Sequence, residues 1–328
     1  MKRGSSGLSL VVAVNKPSGM SSHDVVNRCR KIFGERRVGH TGTLDPLATG
    51  VLPICVGPAT RLDRYLTGHD KQYRVTMSFG FETTTDDIQG EPTVTGELLP
   101  DLLDGDFAYS YVEGLVGAHL QTPPQYSAIK VAGKKAYEVA RAGGALDLEP
   151  RPIEVYEARL VDRNSDGDRL SWVIDVSVSK GTYIRALVRD MGRELGCPAH
   201  VAALERRQAG QLTLDDCVSL ETLETMSMRA AIDPVSLLRF RLAFGDDVEK
   251  KIESGSRLHA HDIALYEWAV QHSCTSSIAP SSVPLEDGEL VSIVIANRLK
   301  AIYRYDGASM VLKPDCVFST PIVRSSEA

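Results

Sequence analysis

The chain reads as short apolar runs of strand length separated by amphipathic stretches of helical period. Residues 8–14 are almost continuously apolar, which predicts a buried strand ending at the turn Asn15-Lys16-Pro17-Ser18-Gly19. Ser21 followed by Asp24 is a capping-box start. Val25, Val26, Cys29, Ile32 and Phe33 form a helical stripe, and Gly34 stops it. Residues 51–56 predict a second buried strand and 61–66 a short helix. Residues 71–79 alternate, with Tyr73, Val75, Met77 and Phe79 on one face of a half-buried strand. The Thr- and Asp-rich residues 81–90 predict a loop and 98–115 a helical connector. Residues 133–141 predict a helix stopped by Gly143-Gly144.

Further on, 151–160 and 170–179 predict strands joined by a turn at 164–168. Residues 183–195 predict an amphipathic helix ending at Gly196, and 201–207 an extended segment. Two helical stretches are expected over 218–240. The composition then shifts at the acidic junction Phe244-Gly245-Asp246-Asp247. Residues 290–295, 300–305 and 310–312 predict short strands with an Asp306-Gly307 hairpin turn, and 260–287 has the character of an insertion.

With 328 residues, 43% hydrophobic and 24% charged, the chain suits one large domain or two unequal ones with a sizeable core. The expected division is 1–242 and 243–328. The net charge of −6 is unevenly spread: residues 1–72 hold eleven Lys or Arg against five Asp or Glu, a net of +6 that leaves −12 for the rest. Arg28, Arg30, Lys31, Arg36 and Arg37 arrive together there. They suit phosphate contact as well as a solvated face.

Six cysteines (29, 55, 197, 217, 274 and 316) are scattered without a Cys-x-x-Cys pair, so neither a disulfide framework nor a zinc site is expected. His259-x-His261-Asp262 and His272-x-Cys274 are short clusters without a second ligand pair. Lys2 and Arg3 before an apolar run imitate a leader, but no small-residue cleavage pattern follows, and no stretch reaches membrane-spanning length. A cytoplasmic location is the expectation.

Candidate chemistry concentrates in residues 38–53. Asp45 is the only carboxylate between Val38 and Arg61. Gly39, Gly42 and Gly50 permit positive φ or close backbone approach, Pro46 stiffens the chain after the acid, and Thr41, Thr43 and Thr49 offer hydrogen bonds. This is a lone carboxylate on a rigid loop.

Residues 39–50, Gly-His-Thr-Gly-Thr-Leu-Asp-Pro-Leu-Ala-Thr-Gly, resemble the signature of the TruB-type tRNA pseudouridine synthases. Supporting blocks recur at 15–22, at Lys71-Gln72-Tyr73-Arg74, at 121–130 and at Lys180-Gly181-Thr182-Tyr183-Ile184-Arg185. The resemblance implies an α+β pseudouridine synthase fold, with a central, mostly antiparallel sheet flanked by helices and a small C-terminal β-rich, PUA-like, RNA-binding domain. It implies that Asp45 is the catalytic residue, that Arg185 pairs with it, and that Tyr73 stacks on the target base with a candidate role in proton transfer. Leu204 would pack against the uracil, and His40 would fill the gap left by the extruded base. Lys16, Tyr183 and Lys130 join the substrate-binding set, and 133–141 belongs to a region that grips the RNA. An arginine in the first turn of a helix opposes the helix dipole, which independently calls for an unusual partner for Arg185.

The implied reaction is conversion of uridine 55 in the tRNA T-loop to pseudouridine. It requires one carboxylate, a dry pocket and a stacking surface, with no cofactor or metal. The expected partner is the T-arm stem-loop, with no membrane, and the chain is expected to act as a monomer. Two other readings compete. A glycoside hydrolase needs a second acid, and none stands near Asp45 in the sequence. A non-catalytic RNA-binding protein would be expected to have lost Asp45 or Arg185, and both are present.

Overall fold

The computed structural model describes residues 6–131, 133–167, 169–269 and 277–325. Among them, the principal sheet runs in the order Leu10–Lys16, Thr49–Val56, Ala199–Ala209, Lys71–Phe79, Arg169–Val178, Arg151–Asp166, Gly117–Gln121. Val38–His40 adds to Thr49–Val56, and Leu212–Thr213 to Ala199–Ala209. Every pairing is antiparallel except a short parallel contact of Glu205 and Arg206 with Thr49 and Gly50. The helix Ser22–Phe33 has the expected capping box of Ser21 and Asp24 and stops at Gly34 with φ 58°. The helix Ile184–Glu194 packs against Ala199–Ala209 so closely that a Cβ on Gly192 would lie 2.8 Å from Ala199.

The continuous apolar runs have a physical cause in two cores. Leu10, Val12 and Val14 face one core with Leu52, Ile54 and Val56. The intervening Val11 and Ala13, with Val51 and Cys55, face another core that contains Leu237, Leu242, Val294 and Phe318. A strand buried on both faces has no polar side to show. The second core belongs partly to a second sheet. Its order is Leu258–His259, Val311–Val323, Arg298–Asp306, Leu290–Ile295, Arg241–Phe244, Leu265–Ala269, Ser277–Pro280. This sheet takes up the chain at Arg241, beside the expected division at 242/243.

Several boundaries differ from the sequence reading. The first strand begins at Leu10, not at 8. The strand Arg151–Asp166 runs through the polar residues 162–166, which pair in register with Ser171–Val173 and their neighbours. The reversal falls at Gly167, with φ 57°. An exposed hairpin arm carries polar side chains without penalty, so composition alone placed the turn too early. Residues 81–90 are not wholly loop: Phe81–Thr83 pairs with Pro92–Thr95. The connector 98–115 divides into a 3-10 turn at Pro100–Leu103 and a helix at Gly105–Glu113. The helix expected over 133–141 is Ala136–Arg141, preceded by a small hairpin of Lys130–Val131 with Lys134–Lys135. The strand expected at 310–312 extends over Val311–Val323. Within 260–287, Leu265–Ala269 and Ser277–Pro280 join the second sheet as its outer strands. His272 and Cys274 lie outside the described residues. Among those described, no group of His, Cys, Asp and Glu is arranged to hold a metal, and no helix is long and apolar enough to cross a membrane.

Gly50 is where the sheet carries the loop of Asp45. Its φ is 101°, and a Cβ there would sit 2.2 Å from the Arg206 carbonyl oxygen. Gly50→Ala is expected to destabilise the protein by about 2 kcal/mol or more, read as a lower urea midpoint at unchanged slope.

Candidate active site

Three buried side chains from separate elements hold the loop carrying Asp45, all through main-chain atoms. Lys16, at the end of the first strand, is fully buried. Its Nζ donates to the carbonyls of Pro17 (2.9 Å), Met20 (2.5 Å) and Pro46 (3.3 Å). Ser22 Oγ accepts from the Leu44 amide at 2.7 Å and donates to the Leu44 carbonyl at 2.8 Å. Arg206, 1% exposed, donates to the carbonyls of Val51 (2.8 Å), Gly42 (3.0 Å) and Thr43 (3.3 Å). A loop rich in Gly and Pro has few internal hydrogen bonds, and its carbonyls must be satisfied from outside. Gly42 (φ 151°) and Gly50 have positive φ, whereas Gly39 sits in the Val38–His40 strand without it.

The Asp45 side chain is one-third exposed and meets Arg185, which is 5% exposed. Arg185 Nε lies 2.8 Å from Asp45 Oδ2, and Nη2 donates to Oδ1 at 3.2 Å. The same guanidinium donates to the carbonyls of Thr85 (2.7 Å) and Tyr126 (2.9 Å), and its Nη1 stands 3.8 Å from Asp87 Oδ2. Thr41, Thr43 and Thr49 are not partners of the carboxylate, so the local hydrogen bonds expected from the sequence are replaced by one distant arginine. Gln121 fixes the start of the Arg185 helix: its amide accepts from the Tyr183 N–H at 2.9 Å and donates to the Tyr183 carbonyl at 3.1 Å.

Around this pair lies a cavity of about 710 Å³. Tyr73 and Leu204, each 7% exposed, form part of its wall, and His40, Tyr126 and Tyr183 also line it. The sheet register explains the grouping. Leu204 pairs with Val75, and Arg206 with Tyr73, so these side chains share one face of adjacent strands. Bulges at 201/203 and 206/208 bracket the two. His40 Nδ1 accepts from the Gly42 amide at 3.3 Å. Burial, then the Arg206 charge, pushes its pKa below the ordinary histidine value, which keeps the ring neutral at pH 7. Burial raises the Tyr183 phenol, so it too is held neutral.

Of the residues singled out in the sequence, Asp45, Arg185, Tyr73, Leu204, His40 and Tyr183 are brought together. Lys16 is not: it lies beneath the loop with its amine enclosed by carbonyls, and burial lowers its pKa to about 8. It supports the loop and does not line the cavity. Lys130 is exposed on its hairpin and does not line the cavity.

The acidic loop 82–87 was missed. Asp87 lines the cavity, and its Oδ1 accepts from Thr85 Oγ1 (2.8 Å) and the Gln89 amide (3.0 Å). Asp86, with φ 60°, pairs with Arg189 at 3.1 Å, and burial pushes it up to about 6 against the pull of that arginine. Glu82 takes Arg193 through both oxygens, at 2.8 and 2.7 Å. The available signal was the spacing 185, 189, 193, one arginine per turn on a single helix face.

Residues 30–184 match the model of the TruB family pseudouridylate synthase N-terminal domain. Residues 185–242 match that of the tRNA pseudouridylate synthase B C-terminal domain. The tRNA pseudouridine synthase B of Geobacillus thermodenitrificans (strain NG80-2) is 40% identical over 261 residues, which is 76% of this chain and 85% of that protein. That of Bacillus cytotoxicus is 43% identical over 227 residues, 69% and 74% of the two chains. The fold is similar to a chain of a Cbf5-Nop10-Gar1 complex, with a TM-score of 0.65 at 22% identity, covering 95% of this chain and 86% of the other. The sequence matches place this chain in the TruB family of pseudouridylate synthases.

Proposed function

We propose that the chain converts uridine 55 in the T-loop of tRNA to pseudouridine, with Asp45 as the catalytic carboxylate. The observation that carries this reading is the Asp45–Arg185 pair opening onto a cavity walled by Tyr73 and Leu204. The relatives' name, tRNA pseudouridine synthase B, supports tRNA as the substrate.

The reaction breaks the N1–C1′ bond, turns the uracil and forms a C5–C1′ bond. The proton at C5 leaves and N1 takes one up, so no net oxidation occurs and no atom is added. One carboxylate suffices, acting as nucleophile or base. Arg185 holds both Asp45 oxygens, which fixes the angle at which the carboxylate meets the sugar. Tyr73 offers a face for the base and a phenol for the C5 proton, and Leu204 closes the dry side. The free uracil is retained because the cavity is walled by aromatic and aliphatic groups. Extruding the uridine costs about a few kcal/mol of stacking, and His40, neutral and at the rim loop, is placed to fill the vacated step. Lys130, with Lys134, supplies charge for the RNA backbone on the hairpin beside the cavity wall.

The hydrolase reading fails on Asp87. It is the second acid in the cavity, but its Oδ1 is occupied by two donors and its Oδ2 faces Arg185. Residues 243–328 form most of the second sheet, which we assign to RNA binding, and the protein acts as a cytoplasmic monomer.

Asp45→Asn keeps the shape of the side chain and removes its charge. It is expected to lower the rate of pseudouridine formation in an unmodified tRNA transcript by about 10⁴-fold or more with retained tRNA binding. Mapping the product at base resolution tests position 55 at the same time. Conversion at full rate by the variant would refute the assignment of Asp45. Arg185→Lys replaces a planar fork by a point charge and leaves the Thr85 or Tyr126 carbonyl unmet. A loss of about 10²-fold in kcat, with KM within a few-fold, is expected from single-turnover kinetics. Because burial and the Arg206 charge lower the His40 pKa, the acid limb of kcat should lie below the ordinary histidine value, since protonation would set an imidazolium against Arg206. An acid limb at or above the ordinary histidine value would contradict the neutral ring.

A further inference from the structure

Arg189 repeats, one helical turn beyond Arg185, the bridge that Arg185 makes between two segments of chain. Arg185 donates to the Thr85 carbonyl in the acidic loop (2.7 Å) and to the Tyr126 carbonyl in the proline-rich segment (2.9 Å). Arg189 joins the same two segments. Its Nη1 lies 3.1 Å from Asp86 Oδ2, and its Nη2 donates to the Thr122 carbonyl at 2.8 Å. Its Nε meets Asp190 Oδ1 at 2.9 Å. Arg189 and Asp86 are 8% and 9% exposed, and neither lines the cavity around Asp45.

Three consecutive residues of the acidic loop thus divide between two arginines. Thr85 gives its carbonyl to Arg185, Asp86 its carboxylate to Arg189, and Asp87 Oδ2 stands 3.8 Å from Arg185 Nη1. The backbone at Asp86 has φ 60°, a left-handed value that aspartate and asparagine adopt more readily than most residues. The Asp86 carbonyl accepts from the Val201 amide at 3.1 Å, which fastens the loop to the strand that carries Leu204. A buried ion pair adds little net stability, because desolvation offsets the attraction of the charges. What this one fixes is geometry, since a guanidinium committed to one carboxylate and one carbonyl holds two segments at one height on the helix. The next turn differs. The Arg193 side chain is 59% exposed, and Glu82 belongs to Phe81–Thr83, a strand already paired with Pro92–Thr95. Water can replace Arg193 there.

We propose that Asp86 and Arg189 are positioning residues for pseudouridine formation: they hold the acidic loop and the proline-rich segment against the helix, and so set the Arg185 guanidinium on Asp45. They act without touching the substrate. The inference rests on the reading of Asp45 as the catalytic carboxylate of a tRNA uridine site.

The test is a double-mutant cycle on the full chain, read as the single-turnover rate of pseudouridine formation and the dissociation constant for an unmodified tRNA transcript. Asp86→Asn keeps the size of the side chain and its tolerance of positive φ, and removes the charge. It is expected to lower the rate about tenfold and leave the dissociation constant within about twofold. In the Arg185→Lys background the fork that Asp86 positions is already gone, and the same substitution is expected to cost less than about twofold more. Arg193→Gln is expected to keep the wild-type rate. An equal loss in both backgrounds, a wild-type rate in Asp86→Asn, or the same loss in Arg193→Gln overturns the inference. A loss of tRNA binding in place of rate does so too. The urea midpoint of each variant is measured alongside, so that rates are compared on folded protein. If Asp86→Asn unfolds, Arg189→Lys carries the same cycle, since it keeps a positive charge opposite Asp86 and gives up the fork that also reaches Thr122. The proposed function fails separately, by wild type forming no pseudouridine in this transcript or by Asp45→Asn forming it at full rate.

Discussion

The site depends on the burial of one cation. Arg185 stands at 5% exposure in the first turn of a helix, where the dipole repels it. A guanidinium taken out of water is tolerated only when its donors are met and its charge is matched. Here Asp45 supplies the charge, while carbonyls from residues 85 and 126 meet the remaining donors. Four parts of the chain are thereby forced to one point: the Gly-rich loop, the acidic loop, the proline-rich segment and the helix. Removing any one leaves a buried charge short of partners. The pair is therefore the reason these loops converge.

The loop of Asp45 obeys the same constraint in reverse. It has little regular structure, so its carbonyls need donors, and two buried cations provide them. Lys16 reaches one side of the loop and Arg206 the other, while Ser22 closes the Leu44 peptide between them. Each support also belongs to the sheet or a helix: Lys16 ends a strand, Ser22 begins a helix, and Arg206 lies in the strand that carries Leu204. Movement of the sheet register would displace carboxylate and pocket wall together. That coupling preserves their relative geometry, which catalysis by position requires.

The strand Lys71–Phe79 and its buried face could be read from alternation, because the sheet is wetted on one side there. The capping box at Ser21 and the stop at Gly34 are local chemistry and were equally legible. The Asp45–Arg185 pair came from resemblance, supported by an arginine placed against a helix dipole. What escaped was non-local. A lysine within a polar turn looks like a solvent-facing side chain, and nothing in its neighbours announces three carbonyls closing over it. Residues 82–87 read as a polar loop because their acids are matched by arginines a hundred residues later. Polar sequence predicted exposure, and pairing overrode it. The turn at Gly167 was misplaced for the opposite reason, since 162–166 are polar and exposed yet still strand.

The two-core arrangement ties the second sheet to the loop that the first sheet carries. Val51 and Cys55 pack into the core shared with Phe318 and Val294, while Leu52 and Ile54 of the same strand pack into the main core. That strand starts at Thr49 and Gly50, immediately after the Asp45 loop, and Gly50 lies against the Arg206 backbone. Loosening the shared core would free one face of the strand and, with it, the backbone that Arg206 grips. Arg61 and Arg64 reinforce the junction by donating to the carbonyls of Val317 and Asp315 across it. The second sheet is thus bound into the support of the loop through a strand with no solvent face. A change confined to residues beyond 242 acts on Asp45 through packing rather than through any group at the site.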